Sequence, residues 1–107
     1  MKKEIGKATQ EQIKNWKTKY GNVFVITVEI DGTVHYVYVK KPDMDIIEAV
    51  AKETESNPIA GARLMLNSII LGGSDIAINE KNASITLGLM DQIGELTKKA
   101  KTSLGKL

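Results

Sequence analysis

The chain has 107 residues, of which 42% are hydrophobic and 26% are charged, and its formal net charge is +2. This size and balance are typical of one globular domain with a single core, and they argue against wholesale disorder. The small net charge does not by itself indicate nucleic-acid binding. The absence of cysteine excludes a disulfide framework, a thiolate zinc site and a cysteine nucleophile.

The polar start of the chain predicts a loosely held segment over residues 1–8, inside a single domain spanning 1–107. This segment lacks the apolar stretch of a signal peptide, and no apolar run of the sequence is long enough to span a bilayer. We therefore expect a cytoplasmic protein with no membrane partner.

A capping box opens the first predicted helix, over 9–20. Thr9 can accept a hydrogen bond from a backbone N–H three residues on, and the Gln12 side chain can reach back to the Thr9 N–H. An apolar stripe follows at helical spacing, formed by Ile13, Trp16 and Tyr20. Gly21 stands where helices often end.

A β-hairpin is the clearest local prediction, over 22–40. Two β-branched and aromatic runs flank Asp31-Gly32, a favoured type I′ turn pair that sets Ile30 opposite Thr33. The more apolar face, assigned to the core, carries Phe24, Ile26, Val28, Ile30, Thr33, His35, Val37 and Val39. The second face carries Val23, Val25, Thr27, Glu29, Val34, Tyr36, Tyr38 and Lys40.

The second half of the chain predicts a helical hairpin. Asp43 is a good N-cap for a helix over 44–54. Asn57-Pro58 starts another over 59–71, and Gly72-Gly73 ends it.

After the helical hairpin we expect a short third strand over 74–79 and a last helix that begins at Asn82 or Ser84. The last helix carries a narrow apolar stripe of Ile85, Leu89, Ile93, Leu96, Ala100, Leu104 and Leu107, which packs either on the body of the domain or on a partner helix. Together these elements predict an α+β fold.

No group of residues indicates catalysis, a cofactor or a metal. His35 is the sole histidine and has no predicted ligand partners, so a structural role is favoured. Asp43 and Asp45 lie two apart at a helix start, where capping explains them. Gly72-Gly73-Ser74 follows a helix rather than a strand, which favours a C-cap over a phosphate loop. The lysines fit a solvated face. We therefore expect no enzyme and no nucleic-acid partner.

Protein binding is the remaining class of function. Tyr36 and Tyr38 lie on the more polar hairpin face, and tyrosine is enriched in interfaces. The stripe residues Leu89, Ile93 and Leu96 are the other candidates, although both sets could equally be buried within one chain.

Four sequence segments, in this order and spacing, resemble a group of small phage and prophage proteins. They are Trp16-Lys17-Thr18-Lys19-Tyr20-Gly21 before the hairpin, Lys41-Pro42-Asp43 opening a helix, Asn57-Pro58, and Leu71-Gly72-Gly73-Ser74-Asp75. The similarity covers about 9–97, and members of the group are usually described as tail assembly chaperones.

The resemblance implies a protein that is not an enzyme. It would bind a long tape-measure protein, or a tail-tube protein, in the host-cell cytoplasm during tail assembly, and self-association is an open alternative. Two other classes stay open: a structural virion protein, such as a head–tail connector or minor tail component, and a nucleic-acid-binding phage accessory protein.

Overall fold

A computed structural model describes residues 3–75, 83–96 and 103–106. This part of the chain forms four helices and one four-stranded sheet, which confirms the mixed α+β class. In chain order the elements are β1 Lys3–Ile5, α1 Gln10–Tyr20, β2 Val23–Ile30, β3 Thr33–Lys40, α2 Met44–Ser56, α3 Pro58–Ile69, β4 Ile70–Gly73 and α4 Ala83–Leu96.

The helix starts confirm the capping predictions. Thr9 Oγ1 accepts from the Gln12 N–H at 3.2 Å, and Gln12 Oε1 accepts from the Thr9 N–H at 2.9 Å. Asp43 Oδ1 accepts from the N–H of residue 46 at 2.9 Å. The Asn57 side chain accepts from the N–H groups of residues 59 and 60, with proline at the first helical position. These contacts satisfy backbone donors that a helix N-terminus leaves unpaired.

The β2–β3 hairpin has the predicted turn and register. Asp31 and Gly32 have φ angles of 50° and 79°, as a type I′ turn requires at both central positions. Ile30 lies opposite Thr33, and the pairing continues in register to Val23 opposite Lys40. The two predicted faces of the hairpin are therefore confirmed.

Strand β3 is the centre of the sheet. Strand β2 pairs with it antiparallel along one edge. Two short strands share the other edge: β1 pairs parallel with residues 33–35, and β4 pairs antiparallel with residues 37–39. The β4 register shifts between Tyr38 and Val39.

Both short strands correct the predictions made from sequence. We expected residues 1–8 to be loosely held, but Lys3–Ile5 pairs with β3. We expected the third helix to run to residue 71 and end at Gly72-Gly73, but it ends at Ile69 and residues 70–73 form β4. The unpaired edge of β3 supplies backbone donors and acceptors that outweigh the local helix signal. Ser74 and Asp75 are not in a strand, and residues 76–79 of the predicted third strand lie outside the described residues.

The first face of the hairpin forms the core, as predicted. Ile26, Val37 and Val39 pack against α3 and α4, which contribute Met65, Leu66, Ile69, Ile85, Leu89 and Ile93. Burying each such side chain stabilises the fold by about 1.5 to 3 kcal/mol relative to leaving it exposed.

The last helix is described from Ala83 to Leu96, close to the predicted start. Ala100 and Leu107 of the predicted stripe lie outside the described residues. Leu104 is fully exposed in a segment without regular structure, so it does not pack on the body of the domain. Among the described helices, none is long and apolar enough to cross a membrane.

The turn assignment can be tested by replacing Gly32 with valine. Nothing lies within 4 Å of a Cβ built at this position, so only the positive φ opposes a side chain. We expect Gly32→Val to lower the free energy of unfolding by about 1 to 2 kcal/mol, measured by urea denaturation. Gly32→Asn is the matched control, because asparagine tolerates this conformation, and its loss should be clearly smaller. Equal stability of Gly32→Val and the wild type would contradict the turn assignment.

Candidate protein-interaction surface

Helix α1 covers one end of the second hairpin face. The Trp16 and Tyr38 rings lie 5.4 Å apart between centroids, at an interplanar angle of 39°. A Cβ at Gly72 would stand 2.8 Å from the indole, so glycine is what lets Trp16 lie against β4. The Tyr38 hydroxyl accepts from the Ala8 N–H at 3.2 Å, and Tyr38 is buried. Tyr38 is therefore held within the chain and is not part of an exposed surface.

The rest of the second face stays accessible to solvent. We call this region the open face and define it by Val25, Thr27, Glu29, Val34 and Tyr36. Val25 is 50% exposed, and Val34 and Tyr36 are half-buried. The side chains stand on two paired strands, so their spacing is rigid. A rigid sheet surface that combines a tyrosine and two valines with polar neighbours is suited to protein binding.

Strand β1 holds Tyr36 in place at the border of the open face. The Tyr36 hydroxyl donates to Glu4 Oε1 at 2.8 Å, and Lys7 Nζ lies 3.8 Å from Glu4 Oε2. Lys7 Nζ is also 5.9 Å from the Tyr36 ring centroid, within reach of a cation–π contact. The hydrogen bond to Glu4 raises the pKa of Tyr36 above its ordinary value, with smaller contributions from desolvation and the nearby negative charge. Tyr36 is thus a protonated phenol at neutral pH.

The short strands β1 and β4 meet end to end beside the backbone of Tyr36. The Ser74 N–H donates to the Tyr36 carbonyl at 2.7 Å. Gly6 and Gly73 both have positive φ, and a Cβ on Gly6 would meet the backbone of Ser74. His35 Nδ1 and Ser74 Oγ share a hydrogen bond of 2.8 Å, a pairing that the sequence did not suggest. Because Ser74 is 5% exposed, its oxygen has little access to a substrate, and the pair fits a structural role at the strand junction.

A separate aromatic side chain, Tyr20, lies outside the open face. It is 39% exposed, and the ammonium groups of Lys19 and Lys40 lie 5.2 and 4.9 Å from its ring centroid. Cations at these distances stack on the ring and cover part of it. Tyr20 is therefore an exposed tyrosine with a basic environment, in contrast to the acidic partner of Tyr36.

The α4 candidates lie in the core of the domain. Leu89 and Ile93 are each 1% exposed and pack in the main hydrophobic cluster. The sequence allowed the stripe to pack either on the body of the domain or on a partner helix. Leu89 and Ile93 pack on the body of the domain. Leu96 ends α4, and its side chain lies outside the described part of the chain. Of the five predicted interaction residues, Tyr36 is the one that the described structure places on an accessible surface.

A metal site is not apparent in the described ranges. Among these residues, no group of three or more His, Asp and Glu side chains is placed to hold an ion.

Comparison with known proteins extends the description of the fold. A solved structure of an uncharacterised protein from Bacillus stearothermophilus is similar to this chain, with a TM-score of 0.59 and 24% sequence identity. The similarity covers 87% of this chain and 99% of the other. No protein-family model matches the chain, and no curated protein matches it. The likeness is one of fold, so the resemblance to tail assembly chaperones stays a prediction.

The placement of α4 can be tested with two leucines of the same helix. Leu89 is 1% exposed and Leu87 is 66% exposed. We expect Leu89→Ala to lower the free energy of unfolding by about 2 to 5 kcal/mol, because it leaves a core cavity. Leu87→Ala should change it by no more than about 0.5 kcal/mol. Chemical denaturation followed by circular dichroism measures both, and equal effects would contradict the orientation of α4.

The Tyr36–Glu4 hydrogen bond can be tested by titration. We expect Glu4→Ala to lower the pKa of Tyr36 toward its ordinary value of 10.0, because the variant removes both the acceptor and the negative charge. The chemical shift of the tyrosine Cζ, followed by NMR against pH, reports this pKa for each tyrosine separately. Glu11→Ala, an exposed change on α1, is the control and should leave the Tyr36 titration in place. A Tyr36 pKa that is unchanged in Glu4→Ala would show that the hydrogen bond does not form in solution.

Proposed function

We propose that this chain is a non-enzymatic protein-binding domain that acts as a phage tail assembly chaperone. In this role it binds a tape-measure protein in the host-cell cytoplasm while the tail tube assembles. The observation that supports protein binding is the open face, where Tyr36 and two valines are accessible on a rigid sheet. The particular partner comes from the order and spacing of the sequence segments that resemble the chaperone group.

The open face suits a partner that presents an apolar stripe. Val25 and Val34 offer branched apolar contacts, and Tyr36 adds a large ring with few rotatable bonds. Such rings contribute strongly to interfaces because ordering them costs little conformational entropy. Glu4 and Lys7 stand beside Tyr36 and provide a charged rim. An amphipathic helix can lay its apolar side on such a surface, and a tape-measure protein is long, helical and apolar in places.

A pull-down from cells that express the whole source gene cluster tests this proposal. The tagged chain is recovered, and its partners are identified by mass spectrometry. We expect one very long, helix-rich protein with the wild type and a large loss of it with Tyr36→Ser. The matched control is Tyr20→Ser, which changes an exposed tyrosine outside the open face and should retain the partner.

Two outcomes would contradict the proposal. Recovery of portal, tube or capsid subunits, together with stoichiometric presence of the chain in purified particles, would indicate a structural virion protein instead. Recovery of the long partner at equal yield by the wild type and both tyrosine variants would exclude the open face as the binding surface. Circular dichroism of each variant confirms that the domain is folded before the yields are compared.

A further inference from the structure

Strand β2 has an outer edge with backbone groups that face away from the sheet. In a two-residue hairpin Ile30 and Thr33 form a hydrogen-bonded pair, so the even-numbered residues of β2 bond to β3. The N–H and C=O groups of residues 23, 25, 27 and 29 therefore point to the other side. Within the described residues, no strand pairs with this edge. An extended strand is the structure whose backbone groups match such a row.

A groove runs beside this edge on the core side of the sheet. It lies between β2 and α4 and has a volume of about 350 Å³. Ile26, Val28, Ile30, Ile85 and Leu89 line it, and so do Thr27 and Glu29, which also belong to the open face. Gly88 also lines it, and nothing lies within 4 Å of a Cβ built there, so α4 leaves space at this point.

An exposed aromatic ring stands at the opposite end of the same strand. Phe24 lies on the same face of β2 as the groove, because it shares the parity of Ile26 and Val28. Its side chain is 36% exposed, which is unusual for a phenylalanine on the core face of a sheet. One strand edge thus carries both an exposed aromatic side chain and, beside it, a groove of sufficient size to receive such a ring.

We propose that two copies of this chain pair through β2, antiparallel and related by a two-fold axis at Ile26. This register sets Phe24 directly opposite Val28 of the second copy, as a non-hydrogen-bonded pair with close side chains. Each Phe24 ring then enters the groove of the other copy. On the second face Val25 lies opposite Thr27, and Val23 lies opposite Glu29, so no like charges oppose one another.

The self-complementarity of the strand favours a second copy over an unrelated segment as the occupant. An isologous interface needs a surface whose two halves fit each other, and the ring and the groove of β2 meet this condition in the antiparallel arrangement. The register also brings the outward-facing backbone of Val25 and Thr27 into pairing at the centre of the interface. The dimer is argued from the backbone edge of β2 and from the Phe24 ring, so it does not require the function proposed for the open face, although the pairing places Val25 and Thr27 of that face beside the second copy.

Analytical ultracentrifugation of the whole chain tests the proposal. We expect a concentration-dependent dimer in the wild type. Phe24→Ala should weaken it by about tenfold or more, because the variant empties both grooves. Val25→Lys should weaken it as well, because a charged edge residue opposes strand pairing. Leu87→Ala changes an exposed apolar residue of α4 away from the groove lining, and it should leave the dimer constant unchanged.

Hydrogen exchange gives a second, local measurement. The amide protons of Val25 and Thr27 should become more protected as the protein concentration rises, since the dimer engages them in hydrogen bonds. A wild type that is monomeric at every concentration would overturn the proposal, as would a dimer that both β2 variants leave intact. Protection of these amides only on addition of an unrelated extended peptide would overturn it too, and would identify the edge as a peptide site.

Discussion

The central strand β3 is hydrogen-bonded along both edges, and the rest of the fold is arranged around that condition. Over residues 37–39 it is also buried on both faces: Val37 and Val39 are fully buried on one side and Tyr38 is 6% exposed on the other. A strand can be covered in this way only when its backbone groups have partners, because a buried unpaired N–H or C=O is costly. Strand β4 supplies those partners, and α1, α3 and α4 supply the cover.

The other half of β3, residues 33–36, is covered by fewer packed side chains, and the candidate surface lies there. Its edge is completed by the three residues of β1, and its second face is left without the ring-on-ring packing that Trp16 gives Tyr38. Tyr36 is consequently held through its hydroxyl, by Glu4, while part of its ring stays accessible. The open face and the β2 groove adjoin along one edge strand, because Thr27 and Glu29 belong to both.

Predictions from sequence were accurate where the deciding contacts are local. The capping box at Thr9, the N-caps at Asp43 and Asn57, and the Asp31-Gly32 turn all join groups within three residues, so their geometry follows from residue type. The two short strands were not predicted, because the contacts that form them join distant parts of the chain. Lys3–Ile5 has no apolar alternation, and the glycine pair that would suit a helix end instead allows close contact of Gly72 with Trp16 and of Gly73 with the backbone of Tyr36. Of the candidate site, the sequence singled out Tyr36, but Glu4 and Lys7 could not be foreseen without β1.

The sequence by itself determined where the first three helices begin, the hairpin, its register and the face that meets the core, since these depend on short-range hydrogen bonds and on side-chain periodicity. Only the tertiary structure decided which segments complete the second edge of β3, and with them which tyrosine is buried. Tyr36 and Tyr38 are two residues apart on the same face of one strand and are of the same chemical type. They differ because α1 packs over one of them and not the other, and that contact joins residues far apart in the chain.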